Sequence, residues 1–442
     1  MVLKLRRAYP HRAESVILNF SVANYRSIET RQEISFLASS LKDNPNGLLE
    51  SPALPSAAIL PALVIYGANA SGKSNLLSAL EYMRSAVLES QTDWKPDVCT
   101  ETVQFLLGAE NETPKPSNFE LNFIFEGVRY QYGFEASTDA FLSEWLYWYP
   151  NQHQQKLFIR TGMEFEWGKA LRGQREAIRA FTRPNSLYLS AAAQNGHDQL
   201  SKIRDAFAQI GREGMSPEGL VLGGPMVQRE MDRRAVDYLA RMGTGVSGYR
   251  LQEKEIDEQT RTLMREMTTV LRKVLGPAAK DAAPPDPPLK NVRTELGHIS
   301  RDGRTVYFPV DTESAGTRRL LALLGPVFKA IDQGALMVVD EMSNSLHTAA
   351  CELIFNLFCS RATNPNGAQL LVTTHDTNLL RSPLIRRDQI WFVEKNEYGA
   401  SDIYPLTDIR TKKTDNIEKG YIQGRYGAVP FAGKLNGTWD EA

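Results

Sequence analysis

Gly67-Ala68-Asn69-Ala70-Ser71-Gly72-Lys73-Ser74 follows directly on the apolar run Ala62-Leu63-Val64-Ile65-Tyr66 and leads into Asn75-Leu76-Leu77-Ser78-Ala79-Leu80, whose spacing predicts a helix. A buried strand, a Gly-rich turn and a helix N-terminus together meet what phosphate binding requires: glycine lets backbone N–H groups converge on an anion, and the helix dipole adds partial positive charge. The stretch reads as a P-loop. Lys73 is then placed to neutralise β- and γ-phosphates and the Ser74 hydroxyl to hold Mg²⁺, with Gly67, Asn69, Ser71, Gly72 and Asn75 as the other candidate phosphate-binding residues. A chance match in a flexible loop would lack this strand–loop–helix context.

The chain has 442 residues, 42% hydrophobic and 23% charged, enough for one large core or two to three smaller ones. Fifty-one Lys and Arg against 52 Asp and Glu remove any global electrostatic argument for a nucleic-acid partner and leave only a local basic face. Cys99, Cys351 and Cys359 lack metal-ligand spacing and read as structural thiols of a reducing compartment. No apolar run approaches the ~18 residues that span a membrane, and Met1-Val2-Leu3-Lys4-Leu5-Arg6-Arg7 lacks the apolar core of a signal peptide. The expectation is a cytoplasmic protein with no membrane partner.

Along the chain, residues 1–14 read as a loose basic leader, and two strands around Ile17–Val22 and Gln32–Leu37 read as a small antiparallel cap. Tyr25 reads as a packed aromatic in preference to an adenine stack. Phe119–Phe125 and Tyr130–Glu135 flank Glu126-Gly127-Val128-Arg129, a hairpin signal, and Glu144–Tyr149, Phe158–Arg160 and Phe165–Trp167 continue an aromatic meander. Gln104, ahead of it, is a weak candidate for a glutamine linking γ-phosphate and metal to a mobile lobe. From Gln174 to about Leu275 the pattern turns helical, with Leu187-Tyr188-Leu189-Ser190 as a short strand, a basic face of Arg229, Arg233, Arg234 and Arg241 on a helix over Val227–Met242, and an amphipathic helix over Glu253–Leu275. Ala282-Ala283-Pro284-Pro285-Asp286-Pro287-Pro288 reads as a linker. These features divide the chain into an N-terminal lobe, 1–170, a helical insertion with linker, 171–290, and a C-terminal lobe, 291–442.

The C-terminal lobe supplies the other half of a site. Ser314-Ala315-Gly316-Thr317 opens a helix and offers a second anion-binding end, with Ser314, Gly316 and Thr317 as candidate contacts. Ala335-Leu336-Met337-Val338-Val339-Asp340-Glu341 is an apolar strand ending in two carboxylates: Asp340 suits the metal, and Glu341 suits polarising a water. Gln369-Leu370-Leu371-Val372-Thr373-Thr374 delivers His375 at its end, where an imidazole reaches a γ-phosphate. Glu341 and His375 are thus the candidate catalytic residues, and Ser74 and Asp340 the candidate metal ligands.

This order of P-loop, long insertion, signature-like turn, Asp-Glu strand and strand-end His resembles the ATP-binding-cassette class, specifically its soluble RecF/SMC-like group. The resemblance implies an α/β ABC/SMC-type P-loop NTPase with an antiparallel β subdomain and a helical insertion lobe, using ATP and Mg²⁺. Ser314 to Thr317 stand where that class carries its Leu-Ser-Gly-Gly-Gln signature, although Glu313 and Thr317 depart from the consensus, as do Ser343 to His347 after the acidic strand. In that class the signature of one subunit completes the P-loop site of another, which implies an ATP-closed dimer or a higher homo-oligomer.

A narrower resemblance covers nearly the whole chain. Asn24-Tyr25-Arg26-Ser27-Ile28, Gly67 to Asn75, Phe119-Glu120 with Gly127 to Phe134, Glu313 to Leu320, and the tail Asp415 to Phe431 look like the bacterial abortive-infection ATPases called RloA-like, found in restriction-linked and PARIS-type systems. This implies a phage-defence ATPase beside an operon-encoded effector, a nuclease or toxin, with a phage protein as trigger. The tail itself reads as a polar loop, docking a partner or packing on the core.

Two other functions compete. A RecF-like DNA-repair or DNA-scanning ATPase would bind nucleic acid through a basic face. An overcoming-lysogenization-type ATPase–nuclease would need a Toprim domain, for which Val393-Glu394 offers a first acidic residue but no Asp-x-Asp strand end appears beyond it.

Overall fold

The computed structural model describes residues 15–45, 47–96, 98–108, 115–211, 231–255, 258–275 and 290–429. The leader over 1–14, the Pro-rich linker over 282–288, and Val227 to Arg229 lie outside these residues. Two compact units emerge: the described residues up to 211 with those from 326 onward, and those between 231 and 325.

In the first unit, β1 (Ser15–Ala23) pairs antiparallel with β2 (Gln32–Ser35), ahead of β3 (Ala62–Gly67) and α1 (Lys73–Glu89). Every residue of β3 is buried, as befits a strand covered on both faces. Strands β4 (Ser117–Phe125), β5 (Val128–Ala136), β6 (Phe141–Tyr149), β7 (Gln155–Thr161) and β8 (Glu164–Trp167) form the meander. Glu126 and Gly127 both take positive φ between β4 and β5, the two-residue turn that matches strand twist. The predicted cap is not separate: β1 pairs with β4, giving one seven-stranded sheet in the order β2-β1-β4-β5-β6-β7-β8. Its aromatics pack into the core, with Tyr25 edge-on to Phe119 at 5.4 Å and Phe119 against Phe134 at 5.2 Å.

Helices α2 (Arg175–Phe181), α3 (Tyr188–Gln194) and α4 (Asp198–Ala208) come next. The strand predicted over Leu187–Ser190 is instead the start of α3. The cause is long-range: the buried Glu144 carboxylate on β6 accepts from the N–H groups of Tyr188 (2.6 Å) and Leu189 (3.0 Å), satisfying donors that a helix start leaves open.

The second unit is not wholly helical. It contains α5 (Arg233–Arg241), capped by Asp232, then β9 (Val246–Glu255), α6 (Glu258–Leu275), β10 (Lys290–Ile299) and β11 (Thr305–Pro309), the three strands forming an antiparallel sheet in the order β11-β10-β9. Glu253 to Glu255, expected in a helix, pair with Val292 to Lys290 of β10. The helix α7 (Ala315–Gln333) begins in this unit, and its last turns belong to the first.

Returning to the first unit, β12 (Leu336–Val339), α8 (Thr348–Phe358), β13 (Gln369–Thr373), β14 (Ile390–Lys395), β15 (Ser401–Pro405) and α9 (Ile417–Ile422) complete the chain. The five-stranded sheet runs β12-β13-β3-β14-β15, parallel except for β15. Gln369 joins it to the seven-stranded sheet: its side chain accepts from Ile17 N (2.7 Å) and donates to the Ile17 (3.0 Å) and Leu60 (3.2 Å) carbonyls. Through Val429 the tail packs on the core and is not a free loop; Pro430 and Phe431 lie outside the described residues. Tyr421 stacks on Phe392 at 5.4 Å, and Ala428 N donates to Glu394 Oε2 at 2.8 Å, engaging the carboxylate that the nuclease reading needed for a metal.

Candidate functional site

The parallel sheet puts the C-terminal ends of β3, β12 and β13 side by side, where open α/β sheets bind ligands. After β3 the chain turns through Ala70 (φ 61°) and Gly72 (φ 113°) into α1. A Cβ on Gly72 would stand 2.1 Å from Ser401 Oγ and 2.9 Å from Ser27 Oγ, and one on Gly67 would stand 2.3 Å from the Val393 carbonyl oxygen. Both positions need glycine. Lys73 Nζ donates to the carbonyls of Gly67 (2.9 Å) and Ala68 (2.8 Å), which holds its charge over the loop. Burial lowers the Lys73 pKa, and the Asp340 and Glu341 carboxylates oppose that shift. Asn69 and Ser74 are exposed.

The two halves of the predicted site meet. Ser74 Oγ donates to Asp340 Oδ2 at 2.6 Å, although the residues are 266 positions apart. Thr373 Oγ1 donates to Asp340 Oδ1 at 2.5 Å and accepts from Glu341 N at 2.8 Å, so the end of β13 fixes the end of β12. Glu341 is exposed, with φ 50°, a left-handed backbone that turns the chain sharply after the strand. His375 is exposed at the end of β13; burial and then the Lys73 charge lower its pKa against the pull of Glu341 and Asp340, so the ring is neutral at pH 7.

Three residues that sequence reading missed support this arrangement. Ser401 Oγ donates to the Ser71 carbonyl at 2.7 Å and lies 2.8 Å from Ser27 Oγ, and Asn75 Nδ2 donates to Ser27 Oγ at 2.6 Å. Thr373 is the third. Ser27 sits in the turn after β1 and Ser401 opens β15, so nothing local in the sequence marks either as a neighbour of residue 71. Gln104 lies half-buried in an extended segment whose Val103 carbonyl accepts from Arg26 N.

The signature-like turn belongs to the second unit. Ser314 Oγ accepts from Thr317 N at 3.1 Å and lies 2.9 Å from Thr317 Oγ1, which makes Ser314 the cap of α7; Gly316 is half-buried, Thr317 buried. Glu313 Oε1 lies 2.8 Å from His298 Nε2. The turn is a helix cap in its own right.

The residues of the first unit fit a magnesium-bound triphosphate. Glycines at 67 and 72 leave a cradle that side chains would fill, the buried Ser71 hydroxyl has no hydrogen-bond partner among the described residues, and Ser74 with Asp340 forms the oxygen pair a hard cation prefers. Among the described residues, no group of three or more His, Cys, Asp or Glu side chains is placed to hold a metal, and no helix is long and apolar enough to cross a membrane.

A family model described as "AAA domain, putative AbiEii toxin, Type IV TA system" matches residues 62–211 and 240–381. No curated protein matches the chain. Among solved structures, the chain is similar to "the SmcHead bound to the C-winged helix domain of ScpA", at 14% identity over 88% of this chain and 97% of that one, TM-score 0.39. It is also similar to "the recombination mediator protein RecF-ATP in RecFOR pathway", at 14% identity over 91% of this chain and 100% of that one, TM-score 0.33.

Proposed function

The chain belongs to the AAA-domain family of that model, and on this premise we propose that it binds and hydrolyses ATP at the Ser74–Asp340 site, as the regulatory ATPase of an anti-phage defence system that controls a partner effector. The observation that carries the ATPase reading is the 2.6 Å contact between the end of the glycine loop and the end of the acidic strand. The family's toxin-system description supports the defence role.

In this reading the N–H groups of the loop and Lys73 bind the phosphates. Ser74 and Asp340 would hold Mg²⁺, which would offset phosphate charge when bound. Glu341 accepts a proton from the attacking water, and the neutral His375 ring donates a hydrogen bond toward the γ-phosphate. Ser314, Gly316 and Thr317 contact the nucleotide of a second copy, closing a homo-oligomer that holds or releases a nuclease or toxin encoded alongside, in response to a phage protein.

Calorimetry with Mg-ATP tests the binding step: the full chain gives saturable heat and Lys73→Ala gives none. Absence of heat with the unmodified chain would end the proposal. Mass spectrometry of proteins co-purifying with the chain from phage-challenged cells tests the partner; recovery of the chain alone, with its operon neighbour expressed, counts against effector control.

A further inference from the structure

A cavity of about 930 Å³ lies between the meander and helices α2 to α4, wholly inside the first unit and sharing no residue with the glycine-loop site. Its volume falls within the range of small-molecule sites. Phe125, Tyr130, Ile178 and Ile203 give it apolar walls.

Two buried donors line it without partners. His197 is 5% exposed and caps α4: its Nδ1 accepts from Leu200 N at 3.2 Å, which puts the proton of the neutral ring on Nε2. That Nε2–H has no partner within hydrogen-bond distance and angle among the described residues, and the Arg172 backbone raises the ring's pKa against the larger effect of burial. A Cβ on Gly173, itself a residue of the cavity wall, would stand 3.0 Å from Nε2. Trp148 Nε1–H is likewise buried and unpartnered. Buried donors are ordinarily satisfied, and two orphans on one cavity call for an acceptor supplied from outside the chain.

The rim adds charge. Lys169, Arg172 and Lys202 are exposed there, against Glu126 and Asp198, and none of the three cations has an ion-pair partner among the described residues. A peptide pairing by β-addition is disfavoured, because Phe125, Tyr130 and Trp148 lie on strands already paired on both sides.

We propose that this cavity is a second ligand site for a nucleotide, distinct from the ATP site: a flat base among Phe125, Tyr130 and Ile178, its ring acceptors on His197 Nε2–H and Trp148 Nε1–H, and its phosphates toward Lys169, Arg172 and Lys202. Such a ligand matches each feature with one of its parts. The site does not rest on the ATPase reading and survives its failure.

Full-length Lys73→Ala removes the glycine-loop lysine and isolates the second site. Calorimetric titration of this variant with AMP, GTP, cyclic di-AMP and cyclic di-GMP is expected to give one-to-one binding of at least one of them. Adding Lys202→Glu, or His197→Asn, which keeps a capping acceptor but loses Nε2–H, should weaken that binding at least about tenfold. Lys202 is exposed, so its variant folds even if the His197 variant does not. No heat from any of the four, or binding that Lys202→Glu leaves unchanged, overturns the proposal.

Discussion

Ser401 donates its hydroxyl to the carbonyl oxygen of Ser71 at 2.7 Å, so the outermost strand of the parallel sheet holds the glycine loop from behind. Ser401→Val removes this bond and the contact with Ser27. Each hydrogen bond lost is worth about 1 kcal/mol, so ATP affinity should fall roughly fivefold to thirtyfold, by titration of a fluorescent ATP analogue. Gly72→Ala drives a Cβ to 2.1 Å from Ser401 Oγ in a left-handed backbone and should weaken binding further. Unchanged affinity in both would show that the loop is not held this way.

Lys73 Nζ spans the Gly67 and Ala68 carbonyls. Lys73→Met keeps the stem and removes the charge, so equilibrium dialysis should show ATP affinity down by about a hundredfold, while loss of bonds to two carbonyls lowers stability by only ~1–2 kcal/mol. A large loss of stability with affinity intact would make Lys73 a structural residue.

Glu341→Gln preserves shape and removes the base. Phosphate release should fall by about 10² to 10⁴ while ATP binding stays near the parent value, and size-exclusion chromatography with ATP should reveal a trapped larger species. Parent-level turnover by this variant removes Glu341 from the chemistry.

Glu144 and Arg160, both without solvent exposure, approach to 3.6 Å, and Arg160 also donates to the Ser186 carbonyl at 2.6 Å. Glu144→Ala strips the cap from α3 and strands a buried cation, costing about 3–5 kcal/mol by urea denaturation. Glu144→Leu with Arg160→Met should recover much of the loss, since the pair is replaced together. If the single variant is as stable as the parent, the pair does not hold α3.

Acid should destabilise the fold in part through His197, whose pKa burial holds below the ordinary imidazole value. The unfolded chain then binds more protons, so stability rises with pH across this window and falls as pH drops below ~6.5. The urea midpoint should therefore drop less between pH 7 and 5.5 in His197→Asn than in the parent. An equal drop would mean that the ring titrates as it does in water.

The glycine loop, the acidic strand end and the strand-end histidine were legible because each is local: an apolar run names its strand, and turn chemistry names the element after it. The features that escaped depend on partners far along the chain. Ser27 and Ser401 are ordinary serines until β15 lies beside the loop, Leu187–Ser190 reads as strand until Glu144 arrives to cap it, and Glu253–Glu255 keeps a helical pattern although β10 claims it as strand. The cavity with His197 had no sequence signal, because an unpartnered N–H is a property of its surroundings.

Gln369 bonds to both sheets with one side-chain amide. The seven-stranded sheet is thereby pinned through β1 to the parallel sheet, and it cannot swing away there without breaking the two buried bonds with Ile17.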